Sequence, residues 1–223
     1  QSCADADEVL KVAGKHDPGE AWSRKPPEKW KRFPAKFRFG VPGAEDLMFF
    51  GWEEARSLFD EAAGKLREIG GEPVELRLEP FLAAPKLLYE GPWVTERYVG
   101  IREFLETKPG SVFPVTRAII EGGKHPLASD FFQARYKLAE CKRLADIEMA
   151  KVDFILTPTT PRNFTVKEVE VEPVKLNSIL GTYTNFMNLL DYSALALPAG
   201  KYQGKLPWGV TMFARSWMDR ALL

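Results

Sequence analysis

The groups in this chain that could attack a substrate or move a proton are few and scattered. Its two histidines are His16 and His125. A Ser-His-Asp relay needs an imidazole within reach of a serine hydroxyl. His125 stands in the turn sequence Gly122-Gly123-Lys124-His125-Pro126, and no motif sets a serine beside it. Both histidines therefore read as surface residues. Lys175 and Ser178 lie three positions apart, a spacing at which side chains meet on one helical face. A lysine becomes a base near neutral pH only when desolvated, and nothing around Lys175 indicates this, so the pair reads as incidental. Cys141 falls on the apolar face of a predicted helix, where a thiol packs rather than reacts. The chain holds no G-x-S-x-G, S-x-x-K, Walker or G-x-G-x-x-G pattern. It also lacks H-x-x-x-H and C-x-x-C spacings, so no metal centre is expected.

Composition narrows the function classes further. Lys plus Arg and Asp plus Glu are both 31, giving no net charge over 223 residues. Such a chain offers no bulk attraction to nucleic acid or anionic lipid. One local exception runs from Arg24 to Arg38, where seven basic residues face the single Glu28, with Trp30 and Phe33 between them. This stretch reads as a solvated loop with two aromatics tucked into the body, so no nucleic-acid partner is expected. No apolar run is long enough to span a bilayer, and no membrane partner is expected. Two cysteines are too few for a disulfide scaffold, and a reduced, cytoplasmic setting follows. The chain begins at Gln1 without a basic-then-apolar leader, and it reads as a portion of a longer protein.

The elements that must position any site follow from periodicity. Residues 4–13 predict a short helix with Val9, Leu10 and Val12 as its apolar side, and 14–35 a long polar loop. Residues 36–42 alternate like a strand, and 73–79 alternate again. Between them, Trp52, Ala55, Leu58, Phe59, Ala62, Leu66 and Ile69 share one helical face. Strand, helix, strand with short joints is a βαβ unit. Residues 80–105 predict two helical pieces broken at Gly91-Pro92, with Pro92 suited to the first turn of the second. Residues 129–151 predict the longest helix, with Ser129 as its N-cap. Residues 152–161 form an apolar run that reads as a buried parallel strand. A helix over 174–190 and strands over 193–200 and 206–214 complete an α/β fold, a mixed central sheet with helices on both faces.

Three stretches of the second half carry a resemblance. They are DFILTPTTP (153–161), TNFMNLLDYSALALPAG (184–200) and PWGVTMFA (207–214). In that order they resemble the carboxy-terminal half of the amidase-signature family, and DPGEAWSR (17–24) is similar to that family's loop after the catalytic core. Each stretch is weak alone; four in sequence at suitable spacing are specific. The resemblance covers 1–223, and it implies the carboxy-terminal part of a single amidase-signature domain. Within the family, LLYEGPWVTERYVGI (87–101) and FGVP (39–42) resemble allophanate hydrolases.

That likeness implies two substrate-binding residues, Tyr89 and Arg97, which match a tyrosine and an arginine that hold the carboxylate and ureido groups of the substrate. A guanidinium meets a planar carboxylate through two parallel hydrogen bonds, and a phenol adds one directional bond. The break at Gly91-Pro92 is expected to turn both side chains into one cavity. The implied activity is hydrolysis of allophanate to ammonia and carbon dioxide in urea breakdown, without a cofactor and with urea carboxylase as pathway partner.

The departure from the family is as informative. Its chemistry uses two serines from a Gly/Ser-rich loop and a lysine, and no stretch here matches either. No catalytic residue is carried over. The chain alone is expected to be inactive, to need an amino-terminal amidase segment and to associate through exposed apolar surface. Two other outcomes stay open: another amidase-signature enzyme, whether an amidase or a component of an amidotransferase, and a non-catalytic truncated module.

Overall fold

Alternation and helical spacing resolve into a five-stranded mixed sheet in the order β2-β1-β3-β5-β4, seen in a computed structural model. It describes residues 2–223, with the side chains of Tyr89 and Glu90 outside the described set. The strands are β1 (Phe37–Pro42), β2 (Gly71–Leu76), β3 (Phe154–Pro158), β4 (Tyr192–Tyr202) and β5 (Leu206–Arg215). The helices are α1 (Cys3–Ala13), α2 (Glu53–Glu68), α3 (Glu79–Glu90), α4 (Trp93–Thr107), α5 (Pro114–Glu121), α6 (Ala128–Met149), α7 (Val166–Val171), α8 (Pro173–Leu180), α9 (Phe186–Leu189) and α10 (Asp219–Leu222).

The predicted βαβ unit is β1-α2-β2, with β1 and β2 parallel. The apolar run becomes β3, buried along its whole length. It is parallel to β1 but antiparallel to β5, which is what makes the sheet mixed. Side chains alternate across a strand, so β3 feeds two cores. Ile155 joins Phe81, Met149, Phe186 and Phe213 under α3, α6 and α9. Phe154 and Leu156 join Phe39, Phe59, Val210 and Ala214 on the face covered by α2. Helices thus cover both faces.

Several local expectations are corrected. The helix expected over 174–190 is α8 and α9, separated by residues 181–185. Tyr183 in that break is fully buried, and its burial outweighs continuing the helix. The α6 N-cap is Leu127, not Ser129, with Asp130 Oδ2 accepting the Leu127 N–H at 2.8 Å. Helix α1 forms, yet Val9 and Val12 are exposed, as is Ile69 at the end of α2. Periodicity identified these helices without showing that their ends project past the body.

Candidate functional site

Helices α3 and α4 meet at Gly91-Pro92, where Gly91 ends the first and Pro92 caps the second. Proline at a helix start gives up only an N–H that would lack a partner there. The joint stands against α6: Lys86, Leu87, Gly91 and Pro92 face Asp130, Gln133 and Lys137 across a cleft of about 310 Å3. Beside it lies a larger cavity of about 560 Å3, lined by Leu88, Val94, Arg97, Ile119, His125 and Asp130 among others. Arg97 is exposed on α4 and lines this cavity. Tyr89 belongs to α3, but its side chain lies outside the described residues, so the expected meeting of Tyr89 with Arg97 is a matter for experiment.

The same cavity holds a residue that the sequence reading set aside. His125 is a surface residue of a turn, as expected, yet that surface is the wall shared with Arg97. Nothing in the spacing of residues 97 and 125 signals this.

The other groups weighed from sequence take structural places. Lys175 reaches Glu172 at 3.3 Å rather than Ser178. Cys141 packs against the core beneath α3; burial, and then the nearby Glu79 carboxylate, push its thiol pKa up, the reverse of what a nucleophile needs. His16 lies 3.3 Å from Ser23 Oγ, which also accepts the Asp17 N–H, so this serine and histidine close a loop. Trp30 rests edge-on against Trp217, and Phe33 packs on Phe154. Among the described residues no group of acidic, histidine or cysteine side chains could hold a metal ion, and no helix is long and apolar enough to cross a membrane.

The three quoted stretches of the second half converge in space. Pro158 pairs with Val210 across β3 and β5. Pro198 pairs with Gly209, and a bulge follows before Gly200 pairs with Trp208. Beyond the end of β3, Thr159 donates its N–H to Gly209 O at 3.0 Å, and its Oγ1 lies 2.8 Å from Thr211 Oγ1. Trp208 Nε1–H donates to Thr160 O at 3.2 Å. Gly209 is required here because a Cβ would stand 2.8 Å from Leu197 O. The T-P-T, P-A-G and P-W-G-V stretches are therefore neighbouring parts of one sheet end.

Comparison with known proteins agrees with this geometry. The chain matches the family described as Amidase over residues 1–223. It is 36% identical over 228 residues to urea amidolyase of Saccharomyces cerevisiae, covering 99% of this chain and 12% of that protein. It superposes on the solved structure of Kluyveromyces lactis allophanate hydrolase with a TM-score of 0.92 at 35% identity, covering 98% of this chain and 36% of that one. A glutamyl-tRNA(Gln) amidotransferase component from Legionella pneumophila is 29% identical over 84% of this chain and 43% of its own length. The chain thus spans about an eighth of the urea amidolyase it matches.

Proposed function

The chain belongs to the amidase family, and from that premise we propose that it is the substrate-binding part of an allophanate hydrolase. In this reading residues 1–223 form the carboxy-terminal portion of one amidase domain, and the attacking serine with its serine and lysine partners lies on a preceding segment. The observation that carries the reading is the likeness to allophanate hydrolase and urea amidolyase along almost the entire chain at 35–36% identity, against 29% and 25% for two amidotransferase components.

Arg97 on the cavity wall is the contact for the substrate carboxylate. A guanidinium keeps its charge at any working pH and presents two parallel N–H groups to a planar anion. Tyr89, assigned by resemblance, supplies a further hydrogen bond to the ureido group. The chain binds and orients; it contributes no nucleophile. With ammonia and carbon dioxide as products of a small amide, the enzyme acts in urea degradation in the cytoplasm, and a urea carboxylase activity supplies its substrate. The name urea amidolyase, borne by the relatives, fits such a pairing.

The test is Arg97→Ala and Tyr89→Phe in the complete enzyme that contains this chain, with ammonia release from allophanate as the readout. Losing charge-assisted hydrogen bonds worth about 1.5–3 kcal/mol raises KM roughly 10- to 100-fold in the arginine variant. Unchanged allophanate turnover in Arg97→Ala refutes the carboxylate contact and leaves another amide as the substrate.

A further inference from the structure

The turn that bears His125 closes on the helix that bears Arg97 because residue 123 is glycine. A methyl group on Gly123 would lie 2.6 Å from the Val94 carbonyl oxygen and 2.8 Å from Tyr98 Cβ. Val94 and Tyr98 bracket Arg97 on α4, so this close approach is made beside the arginine. The turn is fastened further by Lys124, whose Nζ sits 5.4 Å from the Tyr98 ring centre and 4.0 Å from Glu121 Oε1. The result is one cavity lined by Arg97, His125 and Asp130, with Leu88, Val94, Ile119 and Pro126 among its apolar lining.

We infer that His125 is a second binding residue for the anionic end of a small carboxylate in this cavity, and that Gly123 is the positioning residue that brings it there. The inference rests on the reading of Arg97 as the carboxylate contact and adds a partner to it. A carboxylate accepts about four hydrogen bonds. A guanidinium takes two of these in its own plane, which leaves room for a ring N–H from a second direction. Arg97 on α4 and Asp130 on α6 line the cavity with His125, while Glu121 at the end of α5 pairs with Lys124 of the turn. Asp130 already accepts the Leu127 N–H.

Malonamate, a monocarboxylate amide in which a methylene replaces the bridging nitrogen of allophanate, is the probe. Its affinity for the complete enzyme is measured by calorimetry. His125→Gln is expected to weaken binding about tenfold, the order of one charge-assisted hydrogen bond. His125→Lys is expected to retain binding, because an ammonium also donates to a carboxylate. Gly123→Ala is expected to weaken binding in the same direction as His125→Gln. Equal affinity of His125→Gln and the unchanged enzyme overturns the inference. So does a loss that lysine at position 125 does not relieve. Arg97→Gln separates the two readings. If it alone weakens malonamate binding, the arginine contact stands and the histidine falls; if neither substitution matters, both fall.

Discussion

Arg24 and Asp191, 167 positions apart, meet through two parallel hydrogen bonds of 2.8 Å each. The pair ties the long basic loop to the β4–β5 hairpin, and Ser216 Oγ donates to the same carboxylate. Both side chains are more than half exposed, so solvent screens the attraction and the pair is worth about 0.5–1 kcal/mol. Arg24→Ala is expected to lower urea stability by that amount, and the difference is expected to shrink at high salt. The Arg24 guanidinium, helped by Ser216, holds the Asp191 carboxyl below the usual carboxylate range. That stabilisation is present above the unfolded carboxylate pKa and is lost as pH falls through the lowered folded value. Stability curves of the unchanged protein and Arg24→Ala should therefore converge in acid.

Tyr183 secures the loop after β1. Its hydroxyl accepts the Met48 N–H at 2.7 Å and donates to Asp46 O at 2.9 Å. Tyr183→Phe leaves a half-buried N–H without its partner and is expected to cost about 1–3 kcal/mol, read as a shift in denaturation midpoint. Burial pushes the phenol up to about 12, partly offset by the Met48 N–H. The folded value exceeds the unfolded one near 10, so the stabilisation is complete below the unfolded value and is lost as pH climbs through the folded one. The gap between the two proteins should narrow at strongly alkaline pH and nowhere lower.

Trp208 holds the segment beyond β3 through its bond to Thr160 O, and it is almost fully buried. Trp208→Phe removes the donor and part of the packed volume. A loss of about 1–3 kcal/mol is expected from the unsatisfied carbonyl, with more from the cavity. Proteolysis at 159–164 is the more specific readout, since the segment is expected to be cut faster in the variant. An unaltered cleavage rate contradicts the anchoring role.

Gly123→Ala forces backbone and Cβ atoms apart between the turn and α4. Overpacking of this kind costs about 1–3 kcal/mol. A thermal melt should show the loss, and amide exchange should localise it to α4 and α5. A substitution without measurable effect on either would mean that the turn yields freely.

Much of the architecture was readable from local patterns. The βαβ unit, the two helices broken at Gly91-Pro92, the buried β3 and the two long strands of the hairpin all follow from apolar period and proline or glycine placement. The reading failed where tertiary contacts overrode local preference. Gly181 begins the break in the predicted helix over 174–190, and Tyr183 shows why the chain departs there: its ring is needed in the core and its hydroxyl at Met48. Of the proposed binding residues, Arg97 came from resemblance alone, since an exposed arginine on a helix is usually an ordinary surface charge.

By itself the order of residues determined where the five strands and the longer helices lie, because side-chain period and backbone restriction act within a few positions. It also determined, through its T-P-T, P-A-G and P-W-G-V stretches, the family. Only the folded chain decided that β3 stands between β1 and β5, that Val9, Val12 and Ile69 project outward, and that His125 shares a wall with Arg97. These relationships depend on surfaces that meet across long separations, such as Gly123 against Val94 and Tyr98. Packing fit, which sets them, has no signature in the spacing of the residues involved.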